Sequence, residues 1–291
     1  MLNKILLSSC IFALTCSAQA EEVTLGHNNL SLNANLQRID DQPLSGRVML
    51  ITHGTLAHNG MEIIASLQEL LADEDLPSLA INLNLGITER KGMYDCSVPH
   101  NHKHTDAVDE IGLWQNWLLE NGAEEIILIG HSRGGNQTAW FSQTASQKPL
   151  AQVLIAPATW NEQQASANYQ QRYNAPLDAT LATAYKLKPD HWMGNTGFIY
   201  CADAKVTARS FISYYQPDPM FDTPRLLKNS QTPSLVFIGS EDQTVANLES
   251  GMMQVKNDKV QSIIIEGADH YFRDLYADEV VEGIVEFMET L

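Results

Sequence analysis

The sequence predicts an α/β protein in which a mostly parallel central sheet is flanked by helices, and three observations carry that reading. Short apolar bursts alternate with amphipathic stretches along most of the chain, the rhythm of strands joined by crossover helices. One burst, Glu125 to Gly130, passes straight through Ser132 into a helical stretch, so strand, sharp turn and helix follow without a spacer. The length of 291 residues, with 44% hydrophobic and 18% charged, suits one large packed domain. No fixed-period repeat or low-complexity tract divides it.

Residues 1–20 stand apart from this fold. Met1 to Lys4 carry positive charge, Ile5 to Thr15 form a short apolar run, and Ala18-Gln19-Ala20 supplies a small-residue cleavage pattern, which together predict a signal peptide. The run is too short to remain as a membrane anchor. The mature domain is therefore expected over 21–291, secreted or periplasmic. Cys10 and Cys16 leave with the signal, so Cys96 and Cys201 remain as a pair in an oxidising compartment, and a disulfide is the natural inference.

After a polar opening from Glu21 to Gly46, Arg47 to Thr52 is the first clear buried strand. Met61 to Leu71 reads as a helix with Ile63, Ile64, Leu67, Leu70 and Leu71 on one face, and Ser78 to Leu83 as the next strand. Thr105 or Asp106 starts a helix that Asn121-Gly122 stops after Glu120. A helix over Gly134 to Gln143 follows the strand at Glu125. Gln152 to Ala156, Ser234 to Ile238 and Gln261 to Ile265 are further strands, with a helix from about Ala246 to Lys256 before the last. The segment from about 157 to 233 interrupts the alternation. It is helical in parts, rich in aromatics such as Trp160, Trp192 and Tyr214, and has no clear strand, which predicts an inserted helical cap or lid.

The formal net charge of −17 and the lack of a basic run argue against nucleic acid, whose binding needs Lys and Arg to neutralise phosphates. The chemistry sits instead in Gly130-His131-Ser132-Arg133-Gly134. A serine on a tight strand-to-helix turn exposes its hydroxyl, and the positions two before and two after it must be small because a side chain there would clash. Gly130 and Gly134 occupy those positions.

On these residues the chain resembles the α/β-hydrolase family, over nearly all of the mature sequence. The resemblance implies an acid and then a histidine downstream of the nucleophile, and Asp242 in Gly239-Ser240-Glu241-Asp242 and His270 in Ala268-Asp269-His270 follow the last two strands in that order. Glu241 and Asp269 are rival acids. A serine hydroxyl is a weak nucleophile until a neutral imidazole takes its proton, and the acid holds that imidazole in the right tautomer. The resemblance further implies two oxyanion-hole N–H groups, each worth on the order of 3 kcal/mol. Arg133 would supply one, and the loop His53-Gly54-Thr55-Leu56 the other, at Thr55 with Leu56 as second choice. His53 itself reads as a packed structural histidine.

The implied activity is hydrolysis of a carboxylic ester, thioester or amide through an acyl-enzyme, on a small-molecule or lipid-like acyl substrate, with no cofactor. Two other readings stand beside it. One is a binding protein on the same fold without catalysis. The other is a metal-binding protein, because His100, His102 and His104 alternate and would share one face of an extended segment. One of these histidines, or His58, is alternatively a lining residue of a substrate cleft.

Overall fold

The computed structural model describes residues 20–291, so the expected signal peptide, Ala20 excepted, lies outside the described residues. The chain opens with β1 (Glu21–His27), β2 (Leu30–Gln37), β3 (Arg47–Thr52), α1 (Glu62–Asp73) and β4 (Ser78–Asn82). Next come α2 (Asp106–Glu120), β5 (Glu125–His131), α3 (Arg133–Thr144) and β6 (Ala151–Ile155). An insertion holds α4 (Glu162–Tyr173), α5 (Leu177–Lys186), β7 (Trp192–Phe198), β8 (Cys201–Thr207), α6 (Ala208–Tyr215) and α7 (Thr223–Leu227). The chain closes with β9 (Ser234–Gly239), α8 (Leu248–Met252), β10 (Val260–Ile265) and α9 (Leu275–Met288).

Eight strands form one sheet in the order β1-β2-β4-β3-β5-β6-β9-β10. β1 and β2 run antiparallel to their neighbours, and every pair from β4 to β10 is parallel. Side-chain alternation divides the core between the two faces. Met49 and Ile51 of β3 and Ile127 and Ile129 of β5 pack toward α1 and α9, while Val48, Leu50, Ile126 and Leu128 pack toward α2. On α1 the buried stripe is Ile63, Ile64, Leu67 and Leu71, the helical spacing expected from the sequence.

Three expectations need correction. The polar opening contains β1 and β2, joined by Asn28-Asn29 with φ of 48° and 63°. Positive φ at both central residues is the geometry of a type I′ hairpin turn, which asparagine tolerates. The insertion is not purely helical, because β7 and β8 form a two-stranded antiparallel sheet. Its turn passes through Ile199 and Tyr200, at φ of 31° and 78°, which are poor residues for that conformation. Two phenols hold it: Tyr215 accepts the Ile199 N–H at 2.9 Å and Tyr173 accepts the Tyr200 N–H at 2.8 Å. The helix expected over 246–256 shrinks to Leu248–Met252, a stretch that contains Ser250 and Gly251.

The insertion shares an apolar core with the loops after β3 and β4, in which Leu56, Tyr94, Tyr169, Leu181, Phe198, Val206 and Phe211 are buried. It is sewn to the loop before α2. Cys96 and Cys201 form the expected disulfide, with Cα atoms 5.5 Å apart. Beside it the His100 N–H donates to Lys205 O at 2.8 Å and the Thr207 N–H donates to His100 O at 3.0 Å. Among the described residues no helix is long and apolar enough to cross a membrane.

Because the bridge spans 105 residues of sequence, its loss releases much chain entropy in the unfolded state. Replacing both Cys96 and Cys201 with serine is expected to lower the unfolding free energy by about 2–4 kcal/mol, read from urea titrations of the two proteins.

Candidate active site

The site lies where the parallel strands end, at the carboxyl edge of the sheet, where α/β folds gather their functional loops. Ser132 joins β5 to α3 at φ 56° and ψ −123°, a conformation that non-glycine residues rarely adopt. The positions two before and two after it have no room for a side chain. A Cβ on Gly130 would lie 2.5 Å from Thr138 Oγ1 and 2.7 Å from Gly134 O, and one on Gly134 would collide with the His53 carbonyl. The Ser132 N–H donates to Ile155 O at 2.9 Å, and its carbonyl accepts from Ala158 at 3.0 Å, which pins the turn to β6 and to the segment after it.

The structure brings Ser132, His270 and Asp242 together. His270 Nε2 lies 2.9 Å from Ser132 Oγ, and His270 Nδ1 lies 2.7 Å from Asp242 Oδ2. The other oxygen, Asp242 Oδ1, accepts N–H groups from Thr244 at 2.7 Å and Val245 at 3.1 Å. Burial pushes the Asp242 carboxyl up, but the His270 hydrogen bond and charge and the two backbone donors outweigh it and hold it below its ordinary value. A carboxylate only accepts, so the imidazole proton sits on Nδ1 and leaves Nε2 bare toward the serine hydroxyl. The rivals Glu241 and Asp269 are exposed, while Asp242 and His270 are buried.

The loop after β3 reaches the same place. A Cβ on Gly54 would lie 3.1 Å from Ser132 Cβ, so this backbone runs directly beside the serine. Among the described residues neither Thr55 nor Leu56 donates its N–H to a backbone carbonyl. The Arg133 N–H begins α3 and lies outside the helical ladder. His53 is the structural histidine expected: Nδ1 donates to Gly54 O at 2.9 Å, and Nε2 accepts from Leu83 N–H and from Arg90 Nη2, both at 3.1 Å. Buried Arg90 also donates to Ala57 O, Leu83 O, Gly92 O and Asn82 Oδ1, and so ties this loop to the end of β4.

The histidine series does not form the shared face that alternation suggested. His100 Nδ1 is 3.1 Å from His102 Nε2, and His102 Nδ1 is 2.8 Å from the Tyr214 hydroxyl, so these nitrogens bind one another and a phenol. His104 packs instead against Trp140 and Phe221, with ring centroids 5.6 and 4.8 Å away, because the chain is already turning into α2. Among the described residues no group of three or more His, Cys, Asp or Glu is arranged to hold a metal ion. His58 is half-buried, and its Nδ1 accepts the Gly60 N–H at 3.1 Å.

Two contacts escape sequence reasoning. His131 Nε2 donates to His270 O at 2.8 Å and so braces the histidine loop from the strand that carries Ser132. The Arg133 side chain donates from Nε to Thr55 Oγ1 at 2.9 Å. His131 was visible as a histidine inside the serine motif; nothing in the linear order marks the Arg133 contact, which spans 78 residues.

The sequence profile of the alpha/beta hydrolase family matches residues 49–283, and the chain belongs to that family. Solved structures share the fold. Est1E from Butyrivibrio proteoclasticus with ferulic acid bound superposes with a TM-score of 0.68 at 17% identity, covering 92% of this chain and 98% of its own. A thermophilic esterase from Thermogutta terrifontis gives 0.62 at 18%, covering 93% and 99%. The monoacylglycerol lipase of Paleococcus ferrophilus gives 0.60 at 18%, covering 88% and 97%. No curated protein sequence matches the chain significantly.

Burial governs the pH response of the region. It lowers His53 to about 3 and His100 and His131 to about 4, and it drives His102 and His104 well down. Their stability contribution is complete above the ordinary value of 6.5 and is lost as pH falls, because only the unfolded chain then takes up these protons. Glu110, pushed up to about 8 by burial, works the other way: its contribution is complete below 4.5 and is lost as pH rises to 8. Urea unfolding across this range should therefore show a steep loss of stability from pH 6.5 down to about 4 and a shallower one from 6.5 to 8. A flat acid limb would contradict this burial.

Proposed function

We propose that the protein is a serine hydrolase that cleaves a carboxylic ester through an acyl-enzyme on Ser132. The carrying observation is the continuous chain Ser132 Oγ, His270, Asp242, with contacts of 2.9 and 2.7 Å and a tautomer suited to proton abstraction. Esters are favoured over amides and thioesters because two of the structural neighbours described above are named as an esterase and a monoacylglycerol lipase.

In this reading Ser132 Oγ attacks the substrate carbonyl carbon while His270 Nε2 takes the hydroxyl proton. Asp242 stabilises the imidazolium through Nδ1. The carbonyl oxygen, now an oxyanion, receives the N–H groups of Arg133 and Thr55; the position of Gly54 against Ser132 supports the choice of Thr55. Collapse expels the alcohol, which takes the proton from His270. Water then attacks the acyl-enzyme with His270 again as base; as the adduct collapses, His270 gives that proton to Ser132 Oγ, and the carboxylic acid leaves with Ser132 free. The disulfide supports a working place outside the cytoplasm, as the N-terminal residues suggest.

Purified protein should be labelled by a fluorophosphonate probe and should hydrolyse p-nitrophenyl esters, whereas Ser132→Ala should take no label. Ser132→Ala and His270→Ala should each lower kcat by roughly 10⁴-fold or more, and Asp242→Asn, which offers His270 an amide in place of the carboxylate, by about 10³–10⁴-fold. If the wild type takes no label and turns over no ester while a control esterase does both, the proposal fails.

A further inference from the structure

Arg133 is attached twice to the place where the carbonyl oxygen would sit. Its backbone N–H opens α3 beside Ser132, and its side chain crosses to the opposite loop, where Nε–H donates to Thr55 Oγ1 at 2.9 Å. Among the described residues the guanidinium makes no ion pair with a carboxylate. Neutral groups hold it. Nη1 faces His104 Nδ1 at 3.4 Å, and the guanidinium carbon stands 5.5 Å from the centroid of the Tyr214 ring.

His104 can serve as that acceptor only with Nδ1 unprotonated, so its proton lies on Nε2, a buried atom. Burial and the Arg133 charge both keep this imidazole neutral. Its backbone is fixed on two sides: its N–H donates to Ser213 Oγ at 2.9 Å and its carbonyl accepts from Gln137 Nε2 at 3.0 Å. Tyr214 and Ser213 both belong to α6 of the insertion. The arginine is therefore held at its far end by a rigid frame and at Nε by the loop after β3.

We infer that Arg133 is a positioning residue, whose side chain holds the Thr55 loop so that the Thr55 N–H and the Arg133 N–H converge on one oxyanion. The inference rests on the acyl-transfer reading above. A mobile loop is the alternative: the loop after β3 includes Gly54, and Leu56 adopts φ 55°, so the Thr55 peptide has neighbours able to change conformation. Fixing its side-chain hydroxyl removes that freedom before substrate arrives, and such preorganisation acts on the transition state more than on ground-state binding.

The test uses substitutions that keep both backbone N–H groups: Thr55→Val, Arg133→Gln, the double variant, and Thr55→Ser, which restores the hydroxyl. Thr55→Val and Arg133→Gln should each lower kcat by about 10–100-fold with KM changed by less than about threefold, since displacement of a donor weakens the transition state alone. Affinity for an alkyl boronic acid, which forms a tetrahedral adduct on serine, should fall in parallel. The double variant should be no worse than the weaker single one, and Thr55→Ser should recover most of what Thr55→Val loses. Thermal melting checks that each variant is folded; if Arg133→Gln is not, the valine and serine pair decides alone. A folded Thr55→Val with kcat within about twofold of wild type overturns the clamp and leaves the hydrolase reading intact. A wild type without Ser132-dependent labelling or turnover overturns both.

Discussion

The close approach of three backbones at the end of β5 is the constraint on which the rest of the site depends. Ser132 holds a left-handed conformation because Gly130 and Gly134 let the turn press against Thr138 and against the carbonyls of the β3 loop. That pressure is mutual. The contact that forbids a side chain on Gly134 also sets the His53–Leu56 loop against the serine, so the oxygen-binding side of the site and the serine are placed by one packing event. The strain in such a turn is sustained by the sheet on either side, whose inner strands are buried except at the first residues of β3 and β5.

Around this point the protein buries a large amount of polar chemistry, and it does so with groups that are neutral or fully engaged. Desolvation keeps His53, His102, His104 and His131 uncharged, and Arg90 spends its donors on carbonyls, an amide oxygen and an imidazole. Glu110 accepts the Asn84 backbone and side chain at 3.0 and 2.6 Å, and burial drives it toward its protonated form. A low-dielectric setting with few net charges strengthens the fields that remain, those of Asp242, Arg90 and Arg133.

How much of this was legible in the sequence follows from the range of each interaction. β3, β5, β9 and the serine turn are encoded by local runs and by glycines at fixed offsets, and the sequence places them within a residue or two. Asp242 and His270 are legible through their order after strands, which topology converts into proximity. The β7–β8 hairpin was not, because its turn uses Ile199 and Tyr200 and is held by Tyr173 and Tyr215, residues distant along the chain. The β1–β2 hairpin carried a readable Asn-Asn turn inside a stretch polar enough to pass for a loop. The histidine series misled for a related reason: alternation assumes an extended segment, and only the tertiary fold shows His100 and His102 turned toward each other and His104 turned away. The Arg133 to Thr55 contact joins two loops from different strands, and no local pattern announces it.

The stitching of the insertion bears on how this protein can be altered or can diverge. The loop over 94–104 and the insertion after β6 meet through a covalent bond, a strand-like backbone pairing and the His102 to Tyr214 hydrogen bond, so neither has a complete interior without the other. The two stretches form one structural unit that is interrupted in the sequence by α2, β5, α3 and β6. A chimera that exchanges the insertion alone would bring a foreign surface to a loop shaped for the old one, and a viable exchange would carry both pieces while leaving the sheet and its serine turn untouched.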